Sequence, residues 1–92
     1  MNENSPLELP EVESDVLVDD GKILILHNDD YNTFDHVIKC LVEICDHSGI
    51  QAEQCAYIVH YNGKCDVMHG EMSKLEMCCR LLRLKGLSAT VE

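Results

Sequence analysis

From Ile23 to Leu26 the chain is an unbroken apolar run, set between Asp20-Gly21 and Asn28-Asp29-Asp30. Four residues are too few for a helix, so the run predicts a buried strand. The period then changes. Phe34, Val37, Ile38, Leu41 and Cys45 fall at i, i+3, i+4, i+7 and i+11, the stripe of an amphipathic helix. Asn32 or Thr33 stands where that helix needs a cap, Asp35 suits its first turn, and Gly49 marks a break. Ala52, Cys55, Ala56 and Val59 repeat the helical spacing up to Asn62-Gly63, a good carboxy-terminal stop. Lys64 to Met68 alternates as a strand would. Ser73-Lys74-Leu75-Glu76 fits a capping box, with Met72 and Met77 spaced as a hydrophobic staple. Leu75, Cys79 and Leu82 carry that third helix to Gly86, and Leu87 to Val91 closes as a short alternating strand. The order β-α-α-β-α-β predicts an α+β domain: a three-stranded, mainly antiparallel sheet with three helices packed on one side.

Length and charge narrow the function. Ninety-two residues make one domain, with room for one core and one shallow site. Residues 1–20 hold seven acids and no Lys or Arg, so they supply −7 of the net −10 and leave −3 for residues 21–92. We expect residues 1–20, with Pro6 and Pro10 and no sustained period, to be a disordered acidic arm, and residues 21–92 to be the folded domain. Such a charge argues against nucleic acid and against anionic membranes, which select for excess Lys and Arg. No apolar run approaches the ~20 residues of a membrane span. The acidic start does not read as a signal peptide, so the cytoplasm is expected and the six cysteines read as reduced thiols.

Three constellations could carry chemistry. Asn28, Asp29 and Asp30 emerge from a buried strand just before a helix; they are turn formers, and equally a polar binding cluster. His60 sits at the end of the second helix, where an imidazole can answer the helix dipole or serve a ligand. Cys40, Cys45 and His47 could make a small zinc site, although a C-x4-C pair on a helix does not share a face well. No nucleophile elbow, zincin motif or phosphate-cradling glycine loop is present, which argues for a binding protein rather than an enzyme.

Taken together, Asn28-Asp29-Asp30-Tyr31-Asn32-Thr33-Phe34 and Val59-His60-Tyr61-Asn62-Gly63-Lys64 resemble the two signature stretches of the ClpS family, the N-degron-binding adaptors of the Clp protease. The resemblance covers roughly residues 22–92 and includes the last strand. It implies that Asn28, Asp29 and His60 bind the free α-amino group of a substrate's first residue. A protonated amine offers three donors, and these groups supply an amide oxygen, a carboxylate and a neutral imidazole nitrogen. The first side chain (Leu, Phe, Tyr or Trp) would enter an apolar pocket at Ile25, Asp30, Asn32, Phe34, Ala56, Val59 and Leu87, with Asp30 and Asn32 nearer the rim. Delivery to a ClpA-like or ClpC-like AAA+ unfoldase would follow, with the chain acting as a monomer without a cofactor. Glu71, Lys74 and Glu76 are docking candidates, and the acidic arm would engage the unfoldase during delivery. Four positions depart from the family pattern: Phe34 and Ala56 stand where Met is usual or frequent, and Asn32-Thr33 replaces Thr-Pro. An unfoldase-binding modulator of the same fold, without degron binding, is the alternative within this resemblance.

Overall fold

The computed structural model describes residues 19–92, so the stretch 1–18 of the expected arm lies outside the described residues. Its elements run β1 (Lys22–His27), α1 (Phe34–Cys45), α2 (Gly49–Asn62), β2 (Lys64–Gly70), α3 (Met72–Leu84) and β3 (Ser88–Val91). Strand β1, the most apolar, takes the centre of a three-stranded sheet of order β2-β1-β3, antiparallel to both neighbours. The expected α+β order and antiparallel sheet are what the chain adopts.

Strand alternation explains which residues of β1 meet the helices. Leu24 and Leu26 are fully buried and pack with Val67, Ala89, Leu41, Leu75 and Leu82 in the core. Ile25, one step out of phase, is buried but stands outside that cluster. The β1–β2 register slips opposite Leu24 and Ile25, where β2 holds Val67 as an extra residue. That bulge lets Val67 join the core.

Capping decides the helix boundaries. Thr33 caps α1, its hydroxyl accepting from the His36 amide at 3.1 Å, and Ser48 caps α2 in the same way through the Gln51 amide. Gly49, expected as a break, is therefore the first residue of α2. The capping box expected at Ser73 does not form. Helix α3 starts two residues earlier than such a box would set it, at Met72, whose amide donates to the carboxylate of Asp20 at 2.8 Å. The Asp20 amide also donates to the Gly70 carbonyl, so Asp20, expected as the last residue of the arm 1–20, is bonded to the folded unit.

The cysteines are all free. The suggested zinc set does not assemble, and no three metal-ligating side chains converge among the described residues. Cys40 lies against His36, 3.6 Å from its Nε2, while Cys45 packs near Cys78 and Cys55. The Nε2 of His47 donates to the Val67 carbonyl at 2.8 Å, so this buried imidazole serves as a strut between the α1–α2 loop and β2.

Candidate functional site

The β1–α1 loop is organised by one carboxylate. Asp29 Oδ1 accepts from the amides of Tyr31 (2.8 Å) and Asn32 (2.9 Å), an Asx turn that bends the chain toward α1. Its Oδ2 accepts from Asn32 Nδ2 at 2.8 Å, and the same amide group donates to the Gly86 carbonyl at 2.9 Å. Asn32 thus bridges the β1–α1 loop to the turn before β3. Partial burial pushes the Asp29 carboxyl up, but the hydrogen bonds from Asn32 and Tyr31, with the nearby charge of His36, outweigh it and hold the group below its ordinary value. A carboxylate has about four acceptor positions, so Asp29 keeps capacity for a further donor.

Helix α2 brings His60 to this loop. Gly63 ends the helix at φ 94°, a left-handed conformation that favours glycine, and its amide returns to the Val59 carbonyl at 2.9 Å. The Gly63 carbonyl then accepts from the Asn28 amide at 2.8 Å. That single bond fastens the end of β1 beside the last turn of α2, which carries His60. On the other side, His36 Nε2 donates to the Lys85 carbonyl at 2.8 Å, fixing the turn that presents Leu87.

The result is a small cavity of about 40 Å³. Asn28, Asp29 and Asn32 from the loop, Phe34 from α1, Ala56, Val59 and His60 from α2, and Leu87 before β3 all line it. Its floor is apolar, with Ala56, Val59 and Leu87 buried, and one rim carries the amide, carboxylate and imidazole. Chemically, it can take a cation at the rim and an apolar group beneath.

Two residues expected in the pocket are not among its lining. Ile25 belongs to the alternate face of β1, and Asp30 is exposed on the loop. Conversely Leu26, His27 and Val37 line the cavity and were not singled out. Leu26 and Val37 carried a usable signal: Leu26 is two residues from Asn28 on the strand, and Val37 is one turn beyond Phe34 on the same helical stripe. Glu71, Lys74 and Glu76 do not form one patch. Glu71 flanks α3, Lys74 lines a groove with His47 and Asp66, and Glu76 lines another with Arg80 and Arg83.

Residues 22–90 match the family described as ATP-dependent Clp protease adaptor protein ClpS. Curated relatives include the chloroplastic Clp protease adapter CLPS1 of Chlamydomonas reinhardtii, 33% identical over 75% of this chain and 43% of that protein. The ClpS adapter of Nostoc sp. is 40% identical over 73% of this chain and 69% of its own length. That of Nitratidesulfovibrio vulgaris is 37% identical over 77% of this chain and 75% of its own. The chain therefore spans under half of the chloroplast relative and about two thirds to three quarters of the bacterial ones. Among solved structures, Agrobacterium tumefaciens ClpS2 bound to L-phenylalaninamide superposes with a TM-score of 0.68 at 22% identity, over 77% of this chain and 93% of that one.

Proposed function

The chain belongs to the ClpS family of Clp protease adaptors, which are not enzymes, and on that premise we propose that it binds N-degrons and delivers their bearers to a Clp AAA+ unfoldase. Asn28, Asp29 and His60 take the free α-amino group of the substrate. Phe34, Ala56, Val59 and Leu87 receive a bulky apolar first side chain, with Asn32 at the rim. The observation that carries this reading is the convergence of the three polar groups on the rim of an apolar cavity. The solved relative bound to L-phenylalaninamide, a free amine joined to an aromatic side chain, supports the same division of labour.

Magnitudes make both halves necessary. Burying a Leu or Phe side chain contributes about 1.5–3 kcal/mol. A hydrogen bond to a charged group contributes about as much. Association costs at least ~4 kcal/mol in lost freedom. A small molecule offering only the amine or only the ring would bind poorly.

Delivery uses the opposite end of the sheet. Helix α3 begins just after Gly70, which pairs with Lys22, whereas the cavity adjoins His27 at the other end of β1. Six residues of strand separate the two ends by roughly 17 Å. Asp20, where the acidic segment joins the fold, contacts that same α3 end. We assign unfoldase docking to this end, with Glu71 at its centre and the exposed Lys74 and Glu76 on the separate grooves that flank it along α3, whether the unfoldase is ClpA-like or ClpC-like. The adaptor acts there as a monomer, in the cytoplasm, with the protease.

Fluorescence anisotropy with labelled peptides beginning Leu, Phe, Tyr, Trp or Ala tests the reading. We expect selection for the bulky first residues, lost in Asp29→Ala and His60→Ala. Binding to the unfoldase with no preference among peptide amino termini would replace this reading with the same-fold modulator.

A further inference from the structure

Phe34 and His60, both on the cavity wall, belong to a closed circuit of four rings. Phe34 meets Tyr57 edge-on with centroids 5.0 Å apart, and meets His60 likewise at 5.2 Å. Tyr57 stacks on Tyr61 at 6.3 Å with the planes 7° apart, and Tyr61 meets His60 edge-on at 4.7 Å. The inner rings line the cavity; the outer two are 46% exposed at Tyr57 and 74% at Tyr61. Core packing does not account for the outer pair. Helix α2 already buries Ala52, Cys55, Ala56 and Val59, and Tyr57 and Tyr61, four residues apart, form a separate exposed strip.

That strip has a definite electrostatic character. Aromatic faces carry negative charge density. No Lys or Arg occurs from Ile23 to Ile38 or from Cys40 to Gly63, while Asp29, Asp30, Asp35 and Glu53 all lie in those stretches. Glu53 is exposed one helical turn before Tyr57. Helix α2 itself thus carries one acid, Glu53, and no Lys or Arg along with the two rings, and aromatic faces with an acid near them can hold a cation.

We propose that Tyr57 and Tyr61 form a second subsite, which receives the side chain of the peptide's second residue and prefers Arg or Lys there. The proposal rests on the degron reading, because that reading sets the amine beside His60. Successive Cα atoms are about 3.8 Å apart. The residue following an anchored amine then lies within one side chain's length of Tyr61, which packs directly on His60, and of Tyr57, which stacks on Tyr61. A guanidinium or ammonium at that point would meet the π faces of Tyr57 and Tyr61 with Glu53 behind them.

The test compares peptides beginning Phe-Arg, Phe-citrulline, Phe-Ala and Phe-Glu by anisotropy, against the native chain and the Tyr57→Leu/Tyr61→Leu double variant. Citrulline keeps the shape of Arg and removes its charge. We expect native affinity for Phe-Arg to exceed that for Phe-citrulline about two- to fivefold, the range of an exposed cation–π contact. In the double variant that ratio should fall close to one. Because both tyrosines are exposed, the variant tests the surface rather than the core. A ratio near one in the native chain would overturn the subsite, and an undiminished ratio in the double variant would reassign the preference to overall negative charge. Failure of every peptide to bind, Phe-Ala included, would remove the degron reading itself and this subsite with it.

Discussion

Asp29 does two tasks at once. Its oxygens already hold three donors from the loop, and the amine would be a fourth. Asn32 supplies two of the three, so it acts as a positioning residue for the carboxylate. Asn32→Ala removes the side-chain donor and the bridge to Gly86, and should bring the Asp29 carboxyl back toward its ordinary range. The sign follows from the lowered folded value: what Asp29 contributes is present above the ordinary carboxylate range and is lost as pH falls through the lowered value. Affinity should therefore fall on acidification as Asp29 protonates. Titrating peptide affinity, we expect Asn32→Ala to move that fall to higher pH. An unchanged fall in the variant would exclude the positioning role of Asn32. Asp29→Ala itself should cost about 1.5–3 kcal/mol of binding, on the order of ten- to a hundredfold in Kd.

At the scale of elements, Gly63 and Asp20 are the junctions to perturb. Gly63→Ala forces a side chain into a left-handed conformation, which costs about 1–2 kcal/mol, and it strains the Asn28-to-Gly63 bond that sets β1 beside His60. We expect both the melting temperature and peptide affinity to fall. Asp20→Ala should destabilise by about 1 kcal/mol, as loss of a helix cap does, whereas Ser73→Ala should be near neutral in the same denaturant titration. The contrast also explains what the sequence could not reveal. The Ser73 box had the right spacing, but the acceptor for α3 comes from Asp20, 52 residues away, and no local pattern encodes that partner. Helical stripes were legible because burial imposes their period; Phe34, Val59 and Leu82 lie on the stripes as expected. The family resemblance implies a pocket role for Ile25, but alternation sets it opposite Leu24 and Leu26. The bridges made by Asn32 and His36 to the Lys85–Leu87 turn span about fifty residues and became visible only with the fold.

Over the whole molecule, the thiols set how stability responds to alkali. Burial, reinforced by neighbouring thiols, pushes Cys45 up to about 12 from 9.0. Burial and a hydrogen bond with Cys55 do the same for Cys65. Folded values raised in this way favour the protonated form, so their contribution is complete below 9.0 and drains away as pH rises toward about 12. Thermal melts across that window should show a steep decline, shallower in Cys45→Ala. Alkylation of the native protein at neutral pH should be slow, with all six thiols reacting once it is denatured. The separation of cavity and α3 start along β1 makes a further expectation at this scale: deleting residues 1–18 should leave peptide affinity intact while slowing unfoldase-dependent degradation. The central claim, however, concerns the amine. The most direct measurement compares one peptide beginning with Phe against its amino-acetylated copy by anisotropy with the full chain. Acetylation removes the charge and leaves Asp29 facing a neutral amide, so we predict that affinity drops at least tenfold, or about 1.4 kcal/mol. Equal affinity for the two copies would contradict amine recognition by Asn28, Asp29 and His60.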